Sequence, residues 1–431
     1  MIVEFSVKNF RSIKDLQTIS FLATGLRSPQ DFEHVDEGNI EMEGDRLLLK
    51  TIGIYGANAS GKSNIMLALH FFILSIKGEP STESQLGSLF DPFLFQDKPL
   101  NSEVFFQMVL ILEGKKYRYG FTVKKNYDLS QKENKSNEII SSEWLFGPKE
   151  RNVVELFRRV GTEVSKERLP GSDSIPPLQY EHSLFLTHAA AFDSTGLCAI
   201  VRSYFKGWTV SNVTNSLVFR RNSIRLIEQE NRKSDLLELL YSFGIKYDNV
   251  VLDRDPNKPD EILQHDKVLL TKPFLNSRNE AGEVKLNLMH NESAGTRKLF
   301  DIAGLLLRAF NLHRSALIVF DEIDSNFHPS LLIRLVSLFN NKSINKSKSQ
   351  LLFTSHDTNL MAPSIMRRDQ FYFTEKSDDN STRLYALSDL KGIRNDADFA
   401  KQYLAGFYGA LPILDTYLDE PNIARYGAME S

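Results

Sequence analysis

The feature that most constrains this chain is the stretch at residues 51–64, which reads TIGIYGANASGKSN. Its first five residues predict a buried strand, and apolar residues at helical intervals follow the loop. The loop has the spacing G-x-x-x-x-G-K-S, in which backbone N–H groups surround a polyphosphate, the lysine reaches its β- and γ-phosphates and the serine binds Mg²⁺. The sequence therefore predicts a nucleoside triphosphate site made by Gly56, Ala57, Asn58, Ala59, Ser60, Gly61, Lys62, Ser63 and Asn64.

A second apolar run, residues 316–320, ends in the two carboxylates of Asp321 and Glu322. Asp321 is placed to hold Mg²⁺ through water, and Glu322 is placed to act as a general base toward an attacking water. An ordinary core strand with a solvated acidic turn has the same pattern. The phosphate loop in the same chain favours the interpretation as a nucleotide site.

Two weaker signals lie on either side of this run. Residues 291–298, NESAGTRK, open a long apolar helix, and the turn at Ser293 and Gly295 offers a hydroxyl, backbone N–H groups and a helix dipole to an anion. Serine is also simply a good N-cap. Residues 351–355 predict a strand that leads to His356. A lone histidine is usually structural, but as the fourth segment of this series it is interpreted as a phosphate ligand.

Length and composition set the remaining bounds. The 431 residues allow one large domain or two to three ordinary ones, and 52 Lys and Arg against 55 Asp and Glu give a net charge of only −3. This balance offers no support for nucleic-acid binding. A single cysteine, Cys198, suits a reducing compartment. The sequence shows neither a membrane span nor a signal peptide, so we expect a cytoplasmic protein with no membrane partner.

Periodicity and composition predict the secondary structure of the rest of the chain. Residues 2–10 and 18–22 predict strands, 104–112 and 117–124 a hairpin, and 185–245 a mainly helical region. Residues 24–46 and 338–350 are polar and are predicted to be loops, the second a solvated basic linker. We expect one domain over 1–431, with an N-terminal lobe (1–125), an inserted β/helical subdomain (126–285) and a C-terminal lobe (286–431).

The order of these motifs resembles that of ATP-binding-cassette (ABC) ATPases, and the opening residues 5–13 resemble the SMC, RecF and OLD-type branch of the AAA-family ATPases. Several segments are similar to the RloA/AriA-like ATPases of bacterial antiphage defence: GANASGKSN, PFLFQD (92–97), KKYRYGF (115–121), NESAGTRKLF and the tail AKQYLAGFYGALPIL (400–414). The wording Asn-Glu-Ser-Ala-Gly-Thr differs from the transporter signature Leu-Ser-Gly-Gly-Gln.

This resemblance implies an α/β P-loop NTPase: an ABC-ATPase head with a mixed central sheet, an N-terminal antiparallel β-subdomain and an inserted, mainly helical subdomain. It assigns Ser293, Gly295 and Thr296 to the signature, Asp324 to the loop at the dimer interface, His356 to the switch histidine and Gln96 to Mg²⁺. It further implies ATP and Mg²⁺ as cofactors, because cassette ATPases hydrolyse ATP. Two copies stack head to tail, each signature closing the partner's ATP site in a homodimer or higher oligomer.

Two functional readings follow from the resemblance. The first is an antiphage, abortive-infection ATPase that acts as a sensor or scaffold and controls a separately encoded effector, such as a Toprim-like nuclease or toxin. The alternative is a RecF-like DNA-repair ATPase that binds DNA directly, through basic clusters such as Arg158–Arg159, Arg220–Arg221–Arg225 and Lys342–Lys346–Lys348. Each of these clusters is more often a solvated face.

Overall fold

The computed structural model describes residues 1–79, 84, 86–125, 138–150, 152–212, 217–228, 232–253, 267–276 and 280–412. The predicted fold class is confirmed: two large sheets enclose a helix that begins at the phosphate loop. The first sheet is antiparallel, in the order β10-β9-β8-β7-β6-β1-β2. Its strands are β1 (Ile2–Lys8), β2 (Gln17–Ser20), β6 (Val104–Leu112), β7 (Lys115–Lys125), β8 (Glu138–Lys149), β9 (Asn152–Val160) and β10 (Glu163–Ser165).

The second sheet is mixed, in the order β11-β15-β16-β5-β17-β18. Four neighbouring pairs are parallel and only the pair at the β18 edge is antiparallel. Near-continuous apolar runs make its central strands, as expected for strands that are covered on both faces. Its members are β5 (Thr51–Gly56), β11 (Thr209–Asn212), β15 (Leu317–Asp321), β16 (Gln350–Thr354), β17 (Phe371–Lys376) and β18 (Thr382–Ala386).

Two smaller sheets and ten helices complete the described fold. The small sheets are β3 (Ile40–Glu43) with β4 (Arg46–Leu49), and β12 (Asn249–Asp253) with β13 (Lys267–Leu275) and β14 (Ala281–Asn287). The helices are α1 (Glu33–Asn39), α2 (Lys62–Lys77), α3 (Phe185–Phe192), α4 (Leu197–Lys206), α5 (Leu217–Glu228), α6 (Lys233–Ser242), α7 (Leu288–Asn291), α8 (Ala294–Phe310), α9 (Pro329–Asn340) and α10 (Phe399–Leu404).

The core forms around α2, which carries apolar residues on most of its surface. Phe72 lies at its centre: its ring stacks on Phe121 of β7 at 5.4 Å and meets Phe5 of β1 at 5.6 Å. Phe205 of α4 contacts it edge-on at 6.1 Å. Aromatic pairs at these separations add to the stabilisation from buried area. The packing fixes the direction in which the N-terminus of α2 points, and with it the phosphate loop.

The hairpin prediction is confirmed, whereas the prediction of a loop over 24–46 is wrong. β6 and β7 pair throughout 104–123, with positive φ angles at Glu113 and Gly114 in the turn. Within 24–46 the structure contains α1, β3 and the start of β4. Asn39, the last residue of α1, is buried and donates hydrogen bonds to Ile365 O and Gln370 Oε1, both at 2.8 Å. Tertiary contacts, rather than an apolar stripe, hold this segment.

The predicted solvated linker at 338–350 is wrong in part: residues 341–349 form turns and loop, as predicted, but several of them are buried. Its first residues complete α9, and Asn345, Ser347 and Ser349 are buried. Ser347 Oγ donates to Ala309 O at 2.6 Å, and Asn345 Nδ2 donates to Phe339 O at 2.8 Å. Gln350 begins β16 and binds Ile2 O and Leu49 O at 3.1 and 3.0 Å. These polar side chains serve as internal hydrogen-bond partners, whereas Lys342, Ser343 and Lys346 of the same segment are exposed.

The inserted segment is joined to both large sheets. Strands β8–β10 extend the antiparallel sheet that begins in the N-terminal lobe, so this sheet crosses the predicted boundary at 125/126. β11 pairs in parallel with β15 in the mixed sheet. The division into three lobes stays a prediction about the chain's organisation. Within the described residues, no helix combines the length and apolar character that crossing a membrane requires.

Candidate functional site

The candidate site forms where three neighbouring parallel strands end. β16 lies between β5 and β15, and the register places Thr354 opposite Ile54 and Phe353 opposite Phe320. Since parallel strands end at the same edge, the loop after β5, the turn after β15 and the residues after β16 meet there. This edge brings together the predicted phosphate loop, Asp321, Glu322 and His356.

The phosphate loop has a backbone that requires its glycines. Gly56 and Gly61 have φ angles of +152° and +110°. A Cβ at Gly56 would collide with Thr374 O, and one at Gly61 would collide with Thr382 Oγ1. Only glycine adopts such angles and allows such close approach without strain. Asn58, Ala59 and Ser63 are exposed, and Ser60, Gly61 and Lys62 are buried, so the loop presents one face outward.

Lys62 lies at the meeting point of the site's charges. Its Nζ donates to Gly56 O at 2.8 Å and to Ala57 O at 3.0 Å. Burial lowers the pKa of Lys62, and the nearby carboxylates of Asp321, Asp324 and Glu322 act in the opposite direction. The ammonium group is thus held on the loop's own carbonyls and faces three acids.

A hydrogen-bond network supports the loop from the β17–β18 side. Ser60 Oγ lies 2.6 Å from Thr374 Oγ1, and Thr382 Oγ1 donates to Ser60 O at 2.9 Å. Asn64, which was assigned to nucleotide binding, donates to Ser12 Oγ at 2.7 Å. Thr374 and Thr382 were not singled out from the sequence. A signal for Thr374 exists, because a threonine in the buried run FYFTEK needs a partner for its hydroxyl.

The two predicted acidic residues, Asp321 at the end of β15 and Glu322 directly after it, differ in exposure and in their hydrogen bonds. Asp321 is half-buried, and its Oδ1 accepts a hydrogen bond from Thr354 Oγ1 at 2.6 Å. Glu322 is exposed and has a φ angle of +54°, which is uncommon for a residue with a side chain. Its N–H donates to Thr354 Oγ1 at 2.7 Å. One carboxylate is therefore fixed and the other projects toward solvent.

His356 lies beside the same cluster. Its side chain is exposed, and its backbone N–H donates to Asp324 Oδ2 at 3.3 Å. Partial desolvation of the ring lowers the pKa of His356, and the nearby Lys62 lowers it further, against the pull of Asp324, Glu322 and Asp321. The lowered pKa favours the neutral imidazole, which has one N–H to donate.

The start of α8 presents its residues outward. Ser293 is the N-cap: its Oγ accepts from Thr296 N at 3.1 Å, and both Ser293 and Ala294 are exposed. Gly295 lies against the loop that follows β15, where an added Cβ would be 2.9 Å from Asn326 O. The three predicted signature residues thus lie at a surface that another molecule can reach.

Lys298 joins α8 to the loop after β15. Its Nζ donates to Ser325 O and lies 4.6 Å from the centre of the Phe327 ring. Burial lowers the pKa of Lys298 to about 8, although Asp324 and Glu322 raise it. No local pattern singles out this lysine within an apolar helix face, because the side chain's partners come from a different segment.

Gln96 was assigned to Mg²⁺ by resemblance. The structure places its Nε2 within hydrogen-bond distance of Asn9 Oδ1 at 2.7 Å, Phe93 O at 2.9 Å and Ser102 Oγ at 3.2 Å. These bonds hold the amide on the turn after β1. Among the described residues, none of its hydrogen bonds reaches the phosphate loop or Asp321, so the metal assignment stays a prediction.

The remaining candidate ligands fit Mg²⁺. Asp321 and Ser63 offer a carboxylate and a hydroxyl, the hard oxygen donors that Mg²⁺ takes together with water and phosphate oxygens. In the part of the chain that the structure describes, no group of three His, Cys, Asp or Glu side chains forms a closed metal site. A site with few protein ligands is what a metal shared with a polyphosphate requires.

Some of the basic residues suggested as DNA contacts are buried or paired with acidic residues. Arg159 is fully buried and pairs with Glu143 at 3.4 Å, and Arg220 is buried and pairs with Asp301 at 2.6 Å. Lys348 binds Glu41 and Glu43 at 3.2 and 3.3 Å. Within their clusters these three cations serve the fold, while Arg158, Arg221, Arg225, Lys342 and Lys346 are exposed.

The fold and the site together define a P-loop NTPase of the ABC-head type. Its phosphate loop, acidic strand end and histidine lie at one edge of a mixed sheet, and a serine-capped helix starts at the surface. Residues 52–362 match the family model described as "AAA domain, putative AbiEii toxin, Type IV TA system", and the chain belongs to that family.

Similar solved structures include two SMC heads. The SMC head domain from Thermotoga maritima is 13% identical, with a TM-score of 0.43, covering 89% of this chain and 98% of the other. An SMC head bound to the C-winged helix domain of ScpA is 14% identical, with a TM-score of 0.40, covering 89% of this chain and 97% of the other. No curated protein sequence matches the chain.

Proposed function

We propose that this protein binds ATP with Mg²⁺ and hydrolyses it to ADP and phosphate. The observation that carries the proposal is the convergence of the phosphate loop, Asp321, Glu322 and His356 at the ends of three adjacent parallel strands. Gly56 to Asn64 would surround the phosphates, with Lys62 released from its loop carbonyls to the β- and γ-phosphates.

The chemistry assigned to the remaining residues follows from their charge and exposure. Ser63 and Asp321 would hold Mg²⁺, which neutralises charge on the β- and γ-phosphates. Exposed Glu322 would accept the proton of the attacking water, and neutral His356 would donate its N–H to the γ-phosphate. Asp324, bound to the backbone of His356, would hold the histidine segment in place.

The site is proposed to be completed by a second copy of the chain. Ser293, Gly295 and Thr296 lie at an exposed helix start, where a hydroxyl and free backbone N–H groups favour an anion. In a head-to-tail homodimer each helix start would cover the partner's phosphate loop. ATP then joins the two copies, and its hydrolysis releases them, so the γ-phosphate acts as a conformational switch.

We further propose that this switch serves antiphage defence in the cytoplasm. The description of the family as a putative AbiEii toxin of a type IV toxin–antitoxin system supports a role in abortive infection. In this role the ATPase would sense or scaffold, and would control a separately encoded effector such as a Toprim-like nuclease or toxin. The burial of Arg159 and Arg220 makes direct DNA binding, the RecF-like alternative, the weaker proposal.

The test combines three measurements on the purified full chain. Phosphate release from ATP and sedimentation with and without Mg²⁺-ATP examine hydrolysis and dimer formation. Co-expression with the protein encoded by the adjacent gene examines effector control, because a toxic neighbour should be neutralised and retained on purification. An inactive protein that stays monomeric with ATP would contradict the ATPase. Steeply salt-dependent DNA binding would favour repair over defence.

A further inference from the structure

Thr354 occupies the position between the two halves of the nucleotide site. It is the last residue of β16, the strand that separates β5, which leads to the phosphate loop, from β15, which leads to Asp321. It is fully buried, at 0% exposure. A buried hydroxyl at this place must be satisfied by neighbouring groups.

Three consecutive residues, beginning with the last residue of β15, bind this one threonine. Thr354 Oγ1 lies 2.6 Å from Asp321 Oδ1, to which it donates. The same oxygen accepts the Glu322 N–H at 2.7 Å. The Thr354 carbonyl accepts the N–H of the next residue, Ile323, at 3.0 Å. Asp321, Glu322 and Ile323 therefore each form a hydrogen bond with Thr354, the last residue of β16.

The hydroxyl is chemically suited to this double contact. Its single proton is used toward the carboxylate, and a lone pair remains for the backbone N–H. Donation to Oδ1 fixes the Asp321 carboxylate and leaves Oδ2 for other ligands. Acceptance from the N–H holds Glu322 in its left-handed conformation, at φ +54°, which needs support from its surroundings. Valine has the same shape as threonine and could make neither contact.

We propose that Thr354 is a positioning residue that sets the carboxylate of Asp321 toward the metal and the backbone of Glu322 toward the attacking water. It touches neither nucleotide nor metal and acts through these two residues. This inference rests on the proposed ATPase function. Partners that orient a metal-binding group typically change metal affinity or activity 10- to 100-fold when removed.

The experiment compares Thr354→Val with Thr354→Ser in the full chain. We expect Thr354→Val to lower kcat for ATP about 10- to 100-fold, with little change in KM for ATP at saturating Mg²⁺. We also expect it to weaken Mn²⁺ binding about 10-fold or more, measured by electron paramagnetic resonance with a non-hydrolysable ATP analogue present. Thr354→Ser keeps the hydroxyl and should stay close to wild type in both measurements.

Thr271→Val provides a matched control. Thr271 is a buried threonine of β13, and the described residues offer its hydroxyl no hydrogen-bond partner. It should leave kcat and Mn²⁺ affinity unchanged. If Thr354→Val does not fold, Thr354→Ala replaces it, because Ala and Ser at this position differ only by the hydroxyl.

Measurements on the wild-type protein distinguish a failure of the role proposed for Thr354 from a failure of the proposed ATPase function. If wild type hydrolyses ATP and binds Mn²⁺ with the analogue, but the variant without the hydroxyl equals Thr354→Ser in kcat and Mn²⁺ affinity, the role of Thr354 is overturned. If wild type does neither, the proposed ATPase function itself fails. A fall in kcat and Mn²⁺ affinity that serine rescues supports the positioning role.

Discussion

The edge of the mixed sheet and the start of α8 differ in how their functional groups are held. At the sheet edge three side chains have partners within the chain: Lys62 binds loop carbonyls, Asp321 binds Thr354 and Ser60 binds Thr374. At the start of α8, Ser293 caps its own helix and otherwise faces outward. The comparison teaches that one region is pre-organised by contacts between distant segments, whereas the other is held by local contacts within one helix turn and remains open to a partner.

The strongest test of the sheet edge is Glu322→Gln. A glutamine keeps the size of the side chain but cannot accept the proton, so hydrolysis should fall about 10²- to 10⁴-fold while ATP binding persists. The variant should accumulate as an ATP-bound dimer, visible by sedimentation. Glu163→Gln, an exposed glutamate in β10, is the control. Hydrolysis by Glu322→Gln at the normal rate would show that Glu322 is not the base.

Lys62→Ala tests whether the pre-organised half binds nucleotide by itself. Loss of the ammonium group should lower ATP affinity on the order of 100-fold, because charge-assisted hydrogen bonds to the phosphates disappear. Titration calorimetry with ATP and Mg²⁺ measures this loss. Lys116→Ala, which removes an exposed lysine of β7, should bind ATP as wild type does. Equal ATP affinities of Lys62→Ala and Lys116→Ala would show that the phosphate loop does not bind ATP.

Ser293→Asp tests the outward-facing half. Aspartate is as good an N-cap as serine, so α8 is preserved, but its carboxylate would repel the partner's phosphates. ATP binding to the monomer should be unchanged, while dimer formation and hydrolysis should fall about 10-fold or more, because a like-charge contact of about 1.4 kcal/mol or more opposes association.

Mixing variants sharpens this test. A heterodimer of Lys62→Ala and Ser293→Asp contains one site with an intact phosphate loop and an intact helix start, so a mixture should recover part of the hydrolysis that each variant lacks alone. Steady-state phosphate release over a range of mixing ratios measures the recovery. A mixture as inactive as its components would argue that each chain completes its own site.

The smallest effect concerns Lys298, the contact between the two regions. Burial lowers its pKa to about 8 in the folded chain, below its unfolded value of about 10.4, so the unfolded chain binds more protons between these values. The free energy of unfolding should therefore rise with pH from about 8 to 10.4 relative to Lys298→Met, on the order of 1 kcal/mol after solvent screening. Urea unfolding of wild type and Lys298→Met at pH 7.5, 9 and 10 measures this difference. The same pH dependence of the free energy of unfolding in both proteins would contradict the prediction.

Local sequence motifs were enough to predict the strand–loop–helix unit of β5 and α2 and the hairpin of β6 and β7, whereas the fold class was implied by the resemblance to ATP-binding-cassette ATPases. They were enough because strand–loop–helix spacing and alternation are encoded in neighbouring residues. The solvation predicted for 338–350 was wrong in part because several of its polar side chains bind groups far away in the chain, such as Ala309 O and Ile2 O. Composition alone does not distinguish a polar side chain that faces water from one that satisfies a buried carbonyl.

The supporting residues of the site were missed for a related reason. Thr354, Thr374 and Thr382 acquire their contacts only when β16, β17 and β18 are placed beside β5 and β15. Strand order is a property of the whole fold, so no local pattern identifies these partners. The roles assigned to the signature, the switch histidine and Gln96 by resemblance stay predictions for the variants above to examine.

Strand β11 gives the inserted segment a direct mechanical link to the acidic strand. Thr209 to Asn212 pair residue by residue with Ile318 to Asp321, and α4 leads into this strand from the insertion. A displacement of α4 would therefore reach, through β11 and its backbone hydrogen bonds, the strand that ends at Asp321. Under the proposed ATPase function, a change in the insertion would then alter the position of Asp321 without any contact with the nucleotide.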